Sequence, residues 1–269
     1  MSELCFLGTG GSIPRKGRNN ASLVLNRDGK LVLIDCPGDA YGKIKKLGFV
    51  PRNICSLFIT HIHPDHVYGL PALIHSLMLE DMSLLFYGSH ETVRFCKDLL
   101  DLFHLLDEKI KCRIRFEPLE EGQSFQIHPS LRASSIRIPH SSSSLALDLY
   151  FKEENLSLLY SGDTPVHEPL FNRSPTPEIL IHDCSAPSRF FKQFPSLSKM
   201  HTHSLDLGKM AHQAGARCLI PIHFFGELEY SMEEIEKEIR ENYKNRLIIP
   251  EDLDKIRISR SLLEKDVMV

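Results

Sequence analysis

The segment Thr60-His61-Ile62-His63-Pro64-Asp65-His66 places four ligand-capable side chains within six residues, directly after an apolar run. In extended backbone, residues i and i+2 point to the same side, so His61 and His63 can converge on one ion. Pro64 ends the extended stretch and turns the chain, which lets Asp65 and His66 face a second ion close by. Imidazole together with carboxylate suits zinc, with manganese or iron as alternatives. Two divalent ions about 3.5–4 Å apart share a water, lower its pKa and polarise a substrate oxygen, so hydrolysis can proceed without a side-chain nucleophile. Asp65 is placed to orient such a water or take its proton, as well as to bind metal. No Gly-x-Ser-x-Gly elbow competes with this reading.

Two ions need more ligands, and three candidates each follow a strand-like run. His140 comes after 131–138, Asp163 sits in Ser161-Gly162-Asp163-Thr164 after 156–160, and His223 ends 217–222. A rigid strand that hands over to a loop is where binding groups usually collect. Taken singly, each has a bland structural explanation; their shared position after a strand is what joins them.

The elements that must carry these groups read as an alternation of short strands and helices, with no linker or low-complexity stretch. Aliphatic and β-branched runs predict strands at 4–7, 22–25, 31–34, 56–60, 112–117, 131–138, 145–151, 156–160, 179–182, 217–222, 246–249 and 255–258. Helices are expected at 38–48 (closed by Gly48), 67–79 and 90–106, the last opened by Ser89 as N-cap. Two more are expected later. One spans 204–214, with Leu207, Met210, Ala211 and Ala214 on one face and Gly215 past its end; the other runs from the Ser231–Glu234 capping box to about Tyr243.

Composition bounds the rest. The 269 residues carry 32 basic against 35 acidic side chains, a net charge of −3, which argues against a protein held on nucleic acid mainly by bulk charge. No run approaches the length of a membrane span, and the N-terminus lacks the pattern of a secretory signal, so a cytoplasmic protein without a membrane partner is expected. The seven cysteines are scattered, with no Cys-x-x-Cys pair, which fits reduced thiols. Eight of the 14 histidines fall in two windows, 61–75 and 201–223. His75, His90, His104, His128 and His212 belong to no motif and read as structural.

The His-x-His-x-Asp-His run of 61–66, followed by His140, Asp163 and His223, resembles the dinuclear metal site of the metallo-β-lactamase superfamily. Leu7-Gly8-Thr9-Gly10-Gly11-Ser12, Leu33-Ile34-Asp35-Cys36 and Gly69-Leu70-Pro71 resemble its ribonuclease Z-like branch, over about residues 4–225. The resemblance implies an α+β fold of the αββα type, with two mixed sheets face to face and helices on both outer faces. Ligands drawn from both halves then require residues 1–269 to form one domain.

Carried over, the resemblance implies that His61, His63 and His140 hold one metal, that Asp65, His66 and His223 hold the other, and that Asp163 bridges them. It also implies a histidine that protonates the leaving group, in the segment Met200-His201-Thr202-His203-Ser204. The family's spacing to the glycine matched by Gly215 favours His201 over His203, and Asp183 resembles an acidic position that orients this histidine in related nucleases. Two divalent ions, zinc or else manganese, are the implied cofactors, and a homodimer is the implied assembly.

The expected activity is a metal-dependent phosphodiesterase acting on a small or single-stranded phosphodiester. The branch resembled also includes a phosphodiesterase associated with phosphonate breakdown. One alternative is a ribonuclease Z-like tRNA 3′-processing endoribonuclease. Bacterial forms of that enzyme carry a long tRNA-gripping arm where only 22 residues separate His140 from Asp163 here, and Leu145-Ala146-Leu147 lacks the Gly-Tyr often found there. A lactone, thioester or amide hydrolase would use the same metals; a non-catalytic, chaperone-like metal binder is the remaining alternative. Arg15, Lys16 and Arg18, in the loop after the first strand, read either as phosphate contacts or as a solvated loop.

Overall fold

A computed structural model describes residues 2–172 and 176–263. The first half supplies β1 (Ser2–Gly8), β2 (Ser22–Arg27), β3 (Lys30–Ile34), α1 (Ala40–Lys46), β4 (Ile54–Phe58), α2 (Pro64–Val67), α3 (Leu70–Leu77), β5 (Met82–Ser89), α4 (His90–Leu102) and β6 (Cys112–Leu119). The second supplies β7 (Ser124–His128), β8 (Leu131–Arg137), β9 (Leu145–Phe151), β10 (Leu156–Tyr160), β11 (Ile179–Asp183), α5 (Ser188–Gln193), α6 (Ser204–Gln213), β12 (Cys218–Ile222), α7 (Met232–Asn242), β13 (Arg246–Leu247) and β14 (Lys255–Ile258).

The strands form two seven-stranded sheets, ordered β14-β1-β2-β3-β4-β5-β6 and β13-β12-β11-β10-β9-β8-β7. Both are mixed. In the first, β14, β1, β2 and β3 pair antiparallel, and β3 through β6 run parallel. In the second, β7 through β10 pair antiparallel, and β10 through β13 run parallel. The chain returns to the first sheet at its end, where β14 becomes the edge beside β1.

Alternation along the strands builds the layers. Leu4, Phe6, Leu23 and Leu25 face Leu147, Leu149, Leu158 and Ile220 in the core between the sheets. Their neighbours Cys5, Leu7, Val24 and Leu57 point the other way and are covered by α1, α3 and α4. Leu159, Leu180 and Leu219 likewise face outward, under Leu207, Met210 and Ala211 of α6, Ala214 just past its end, and Ile235 and Ile239 of α7. The fold is the expected αββα sandwich.

β5, β7 and α5 lie where the sequence pattern predicts no element, and one expected helix is two. The helix expected at 67–79 is two, α2 and α3, parted at Gly69. A Cβ at Gly69 would stand 2.0 Å from the Pro37 carbonyl oxygen, so the chain passes there too closely for any other residue. The helix expected at 90–106 stops at Leu102. Among the described residues no helix is long and apolar enough to cross a membrane, and all seven cysteines are free.

Candidate metal centre

The ligand candidates meet at one end of the sandwich, on loops that leave β4, β8, β10 and β12. After β4 the chain stays extended to His63, which is the N-cap of α2, and Pro64 starts that helix. Asp65 and His66 are therefore carried on a helical turn, while His61 and His63 precede it in extended backbone.

Three ring nitrogens of the first group converge. His61 Nε2 lies 3.0 Å from His63 Nδ1, which lies 3.1 Å from His140 Nε2. The outer nitrogens are engaged elsewhere: His61 Nδ1 is 3.0 Å from the Thr60 hydroxyl, and His140 Nδ1 donates to the Met200 carbonyl at 2.8 Å. Burial pushes the pKa of all three imidazoles down, so their inner nitrogens present lone pairs to one another. Neutral imidazoles gathered in this way suit a shared cation.

The second group is Asp65, His66, Asp163 and His223, whose ligand atoms all lie within 4.8 Å of one another. The Nε2 atoms of His66 and His223 are buried without a well-formed hydrogen bond. Asp163 Oδ2 stands 3.0 Å from His223 Nε2 and 3.3 Å from His66 Nε2. It is also 3.9 Å from His61 Nε2 and 3.9 Å from His140 Nε2, so a single carboxylate oxygen sits between the two groups. Burial opposes a charge on His66 and His223, but the surrounding carboxylates together outweigh it, Asp163 and Asp35 at His66 and Asp163, Asp183 and Asp65 at His223, and raise both well above the usual histidine range. Burial likewise opposes charge on Asp65 and Asp163, yet the same histidines hold both carboxyls well below theirs. A divalent cation would satisfy these orphaned nitrogens and carboxylates in place of protons, so the residues fit a metal.

The supporting residues were only partly visible in the sequence. Asp35 is fully buried at the end of β3 and accepts from the Thr60 amide (2.8 Å), Tyr160 OH (3.2 Å) and His66 Nδ1 (2.9 Å). It joins the two sheets and fixes the ring of a candidate ligand, as a carboxylate behind a metal-bound histidine does. In the sequence it appeared as part of a motif without a role.

Asp183, at the end of β11, is fully buried, and its Oδ2 lies 2.9 Å from His201 Nδ1. Its other oxygen accepts from the Ser185 hydroxyl at 2.7 Å and stands 3.7 Å from His223 Nδ1. Burial opposes its charge, and the neighbouring His201 holds the carboxyl well below its usual range. The His201 ring stacks on His223, with centroids 5.3 Å apart, and meets His140 edge-on at 5.0 Å. His203 is differently placed: it caps α6 by accepting from the Asp206 amide at 3.2 Å, with its other ring nitrogen 3.1 Å from the Asp206 carboxylate.

The basic loop does not present three free cations. Arg18 is buried, donating to Thr9 Oγ1 and the Pro250 carbonyl at 2.7 Å each, and Arg15 lies over the Tyr230 ring. The stretch between His140 and Asp163 is taken up by β9, β10 and the short turns at 141–144 and 152–155.

The sequence profile described as Anti-Pycsar protein Apyc1 matches residues 2–219, most of the chain. The chain belongs to that family. A ribonuclease Z of Methanosarcina acetivorans is 27% identical over 303 aligned positions, which take in 96% of this chain and 98% of that protein. Among solved structures, the metallo-β-lactamase fold protein YhfI of Bacillus subtilis superposes with a TM-score of 0.77 at 16% identity, covering 96% of this chain and 100% of that one. A diphosphatase of the PhnP family gives 0.71 at 17%, covering 96% and 98%. The family match, the likeness to ribonuclease Z and the fold neighbours bear out the metallo-β-lactamase, ribonuclease Z-like character expected from the motifs.

Proposed function

We propose that this protein is a phosphodiesterase that hydrolyses a small or single-stranded phosphodiester, working with two divalent ions, zinc or else manganese. The observation that carries the reading is the pair of ligand groups sharing one Asp163 oxygen, with the His201–Asp183 pair beside them. His61, His63 and His140 would hold one ion, and Asp65, His66 and His223 the other, with Asp163 common to both. When bound, the ions would neutralise phosphate charge and make a water nucleophilic at neutral pH.

The chain's own groups supply the rest. Asp65, kept ionised by His66 and His223, would orient the attacking water or take its proton. As the P–O bond to the leaving group breaks, the departing oxygen would take a proton from His201. Asp183 engages Nδ1, so the other ring nitrogen is the one that serves. His203 is committed to capping α6, which supports His201 over it.

A second reading, tRNA 3′-processing, draws support from the likeness to ribonuclease Z along nearly the whole chain. The short β9–β10 hairpin speaks for the smaller substrate, since it provides no arm. The two are told apart by comparing bis-p-nitrophenyl phosphate with a 3′-extended tRNA precursor. The proposal expects turnover of the first in the presence of zinc or manganese and little cleavage of the second. Turnover of lactone or thioester esters alone would overturn both.

A further inference from the structure

His223 has a backbone φ of 67°, in the left-handed region that a residue with a side chain seldom adopts unless its surroundings hold it there. The hold comes from the Gly-rich turn after β1. The Thr9 carbonyl accepts from the amides of both His223 (2.9 Å) and Phe224 (3.2 Å), and the Gly11 amide donates to the Phe224 carbonyl at 2.8 Å. The turn can come this close because Gly11 has no side chain: a Cβ there would stand 2.8 Å from the Phe225 ring and 3.3 Å from the His223 carbonyl oxygen.

Thr9 is in turn held by a carboxylate from the far end of the sequence. Asp252 Oδ1 accepts from the Thr9 amide at 3.0 Å and the Thr9 hydroxyl at 2.9 Å. Its Oδ2 accepts from the Asn19 amide and the Asn19 side-chain nitrogen, each at 2.7 Å. Arg18 donates to the same Thr9 hydroxyl and to Pro250, closing the ring of contacts. The segment carrying Asp252 is anchored to β1 by Leu253 N to the Phe6 carbonyl (2.6 Å) and Phe6 N to the Asp254 carbonyl (3.0 Å).

We propose that Asp252 is a positioning residue for His223, acting through Thr9: the carboxylate fixes the turn whose carbonyl holds the His223 backbone in its left-handed conformation. This rests on the reading of His223 as a metal ligand. Asp252 and His223 both lie beyond residue 219, where the family match ends. The clamp therefore makes the C-terminal segment part of the metal centre rather than an appendage to the sheet.

The test is metal binding itself. Purified wild-type, Asp252→Asn, Asp252→Ala and His223→Ala proteins are stripped with chelator and titrated with zinc against a chromogenic chelator, with thermal melting of the metal-free proteins in parallel. Asp252→Asn keeps the volume and serves if Asp252→Ala does not fold. The proposal expects wild type to bind two equivalents and His223→Ala to lose one. Asp252→Asn should bind that same equivalent about 10- to 100-fold more weakly, the range seen when groups behind a ligand are changed, while keeping the other. Wild-type affinities in Asp252→Asn, with only the melting temperature lowered, would overturn the proposal and leave Asp252 a stabilising residue. If His223→Ala retains both equivalents, the ligand reading has failed and the proposal falls with it.

Discussion

His201 Nδ1 lies 2.9 Å from Asp183 Oδ2, and the other Asp183 oxygen stands 3.7 Å from Nδ1 of His223. One buried carboxylate thus stands behind both the proposed proton donor and a proposed metal ligand. The two rings it faces are stacked, at an interplanar angle of 13°.

Replacing His201 by Ala should therefore separate rate from metal. We expect kcat on bis-p-nitrophenyl phosphate to fall about 100-fold or more, the usual contribution of a positioned general acid, with metal content unchanged. A fully active His201→Ala would remove the proton-donor assignment. Metal analysis alongside steady-state kinetics reads both quantities.

His61→Ala should behave in the opposite way. It removes one of three converging nitrogens, so bound metal and activity should be lost together. Retention of full metal content by this variant, measured by elemental analysis, would contradict the grouping of His61 with His63 and His140.

Asp35→Ala leaves the Thr60 amide, Tyr160 OH and His66 Nδ1 without their acceptor in a fully buried site. Breaking a buried charged hub of this kind costs about 3 kcal/mol or more. Denaturant unfolding should show a loss of that size, and zinc affinity should fall with it because His66 is no longer oriented. Tyr160→Phe, which removes one donor, should cost about 1 kcal/mol.

How much of this was legible depends on how local the signal is. The 61–66 run was readable because its spacing alone carries the chemistry. His140, Asp163 and His223 were readable because each follows a strand-like run. Asp35 offers no such spacing: a single acid at the end of an apolar strand acquires its role only when Tyr160 of the other sheet reaches it. Asp252 lies 243 residues from Thr9, a separation that no local pattern can report. The break at Gly69 was hidden because a helix-like period continues across it, and only the approach to Pro37 explains the stop. The missed β5 lies in the parallel part of its sheet, buried over its second half, where the polar alternation that marks a half-exposed strand is absent.

His182 supplies a pH-dependent prediction away from the ligands. It is fully buried, its Nδ1 donates to the Asp183 carbonyl at 2.8 Å, and burial lowers its pKa. The unfolded chain takes up this proton below its ordinary pKa of about 6.5 and the folded protein does so only at lower pH, so stability is present above that value and lost as pH falls. Relative to His182→Phe, the wild type should lose up to about 1.4 kcal/mol more per pH unit on acidification below 6.5. Parallel slopes of unfolding free energy against pH would refute this.

Metal-free protein loaded with increasing zinc or manganese, and assayed for bis-p-nitrophenyl phosphate hydrolysis against the equivalents bound, shows whether the two ligand groups form one working centre. Turnover should rise as the two ligand groups sharing Asp163 fill, reach its maximum near two equivalents and be abolished by chelation. Protein that binds no divalent metal, or that is fully loaded and still leaves the phosphodiester intact, would contradict the proposed two-metal phosphodiesterase.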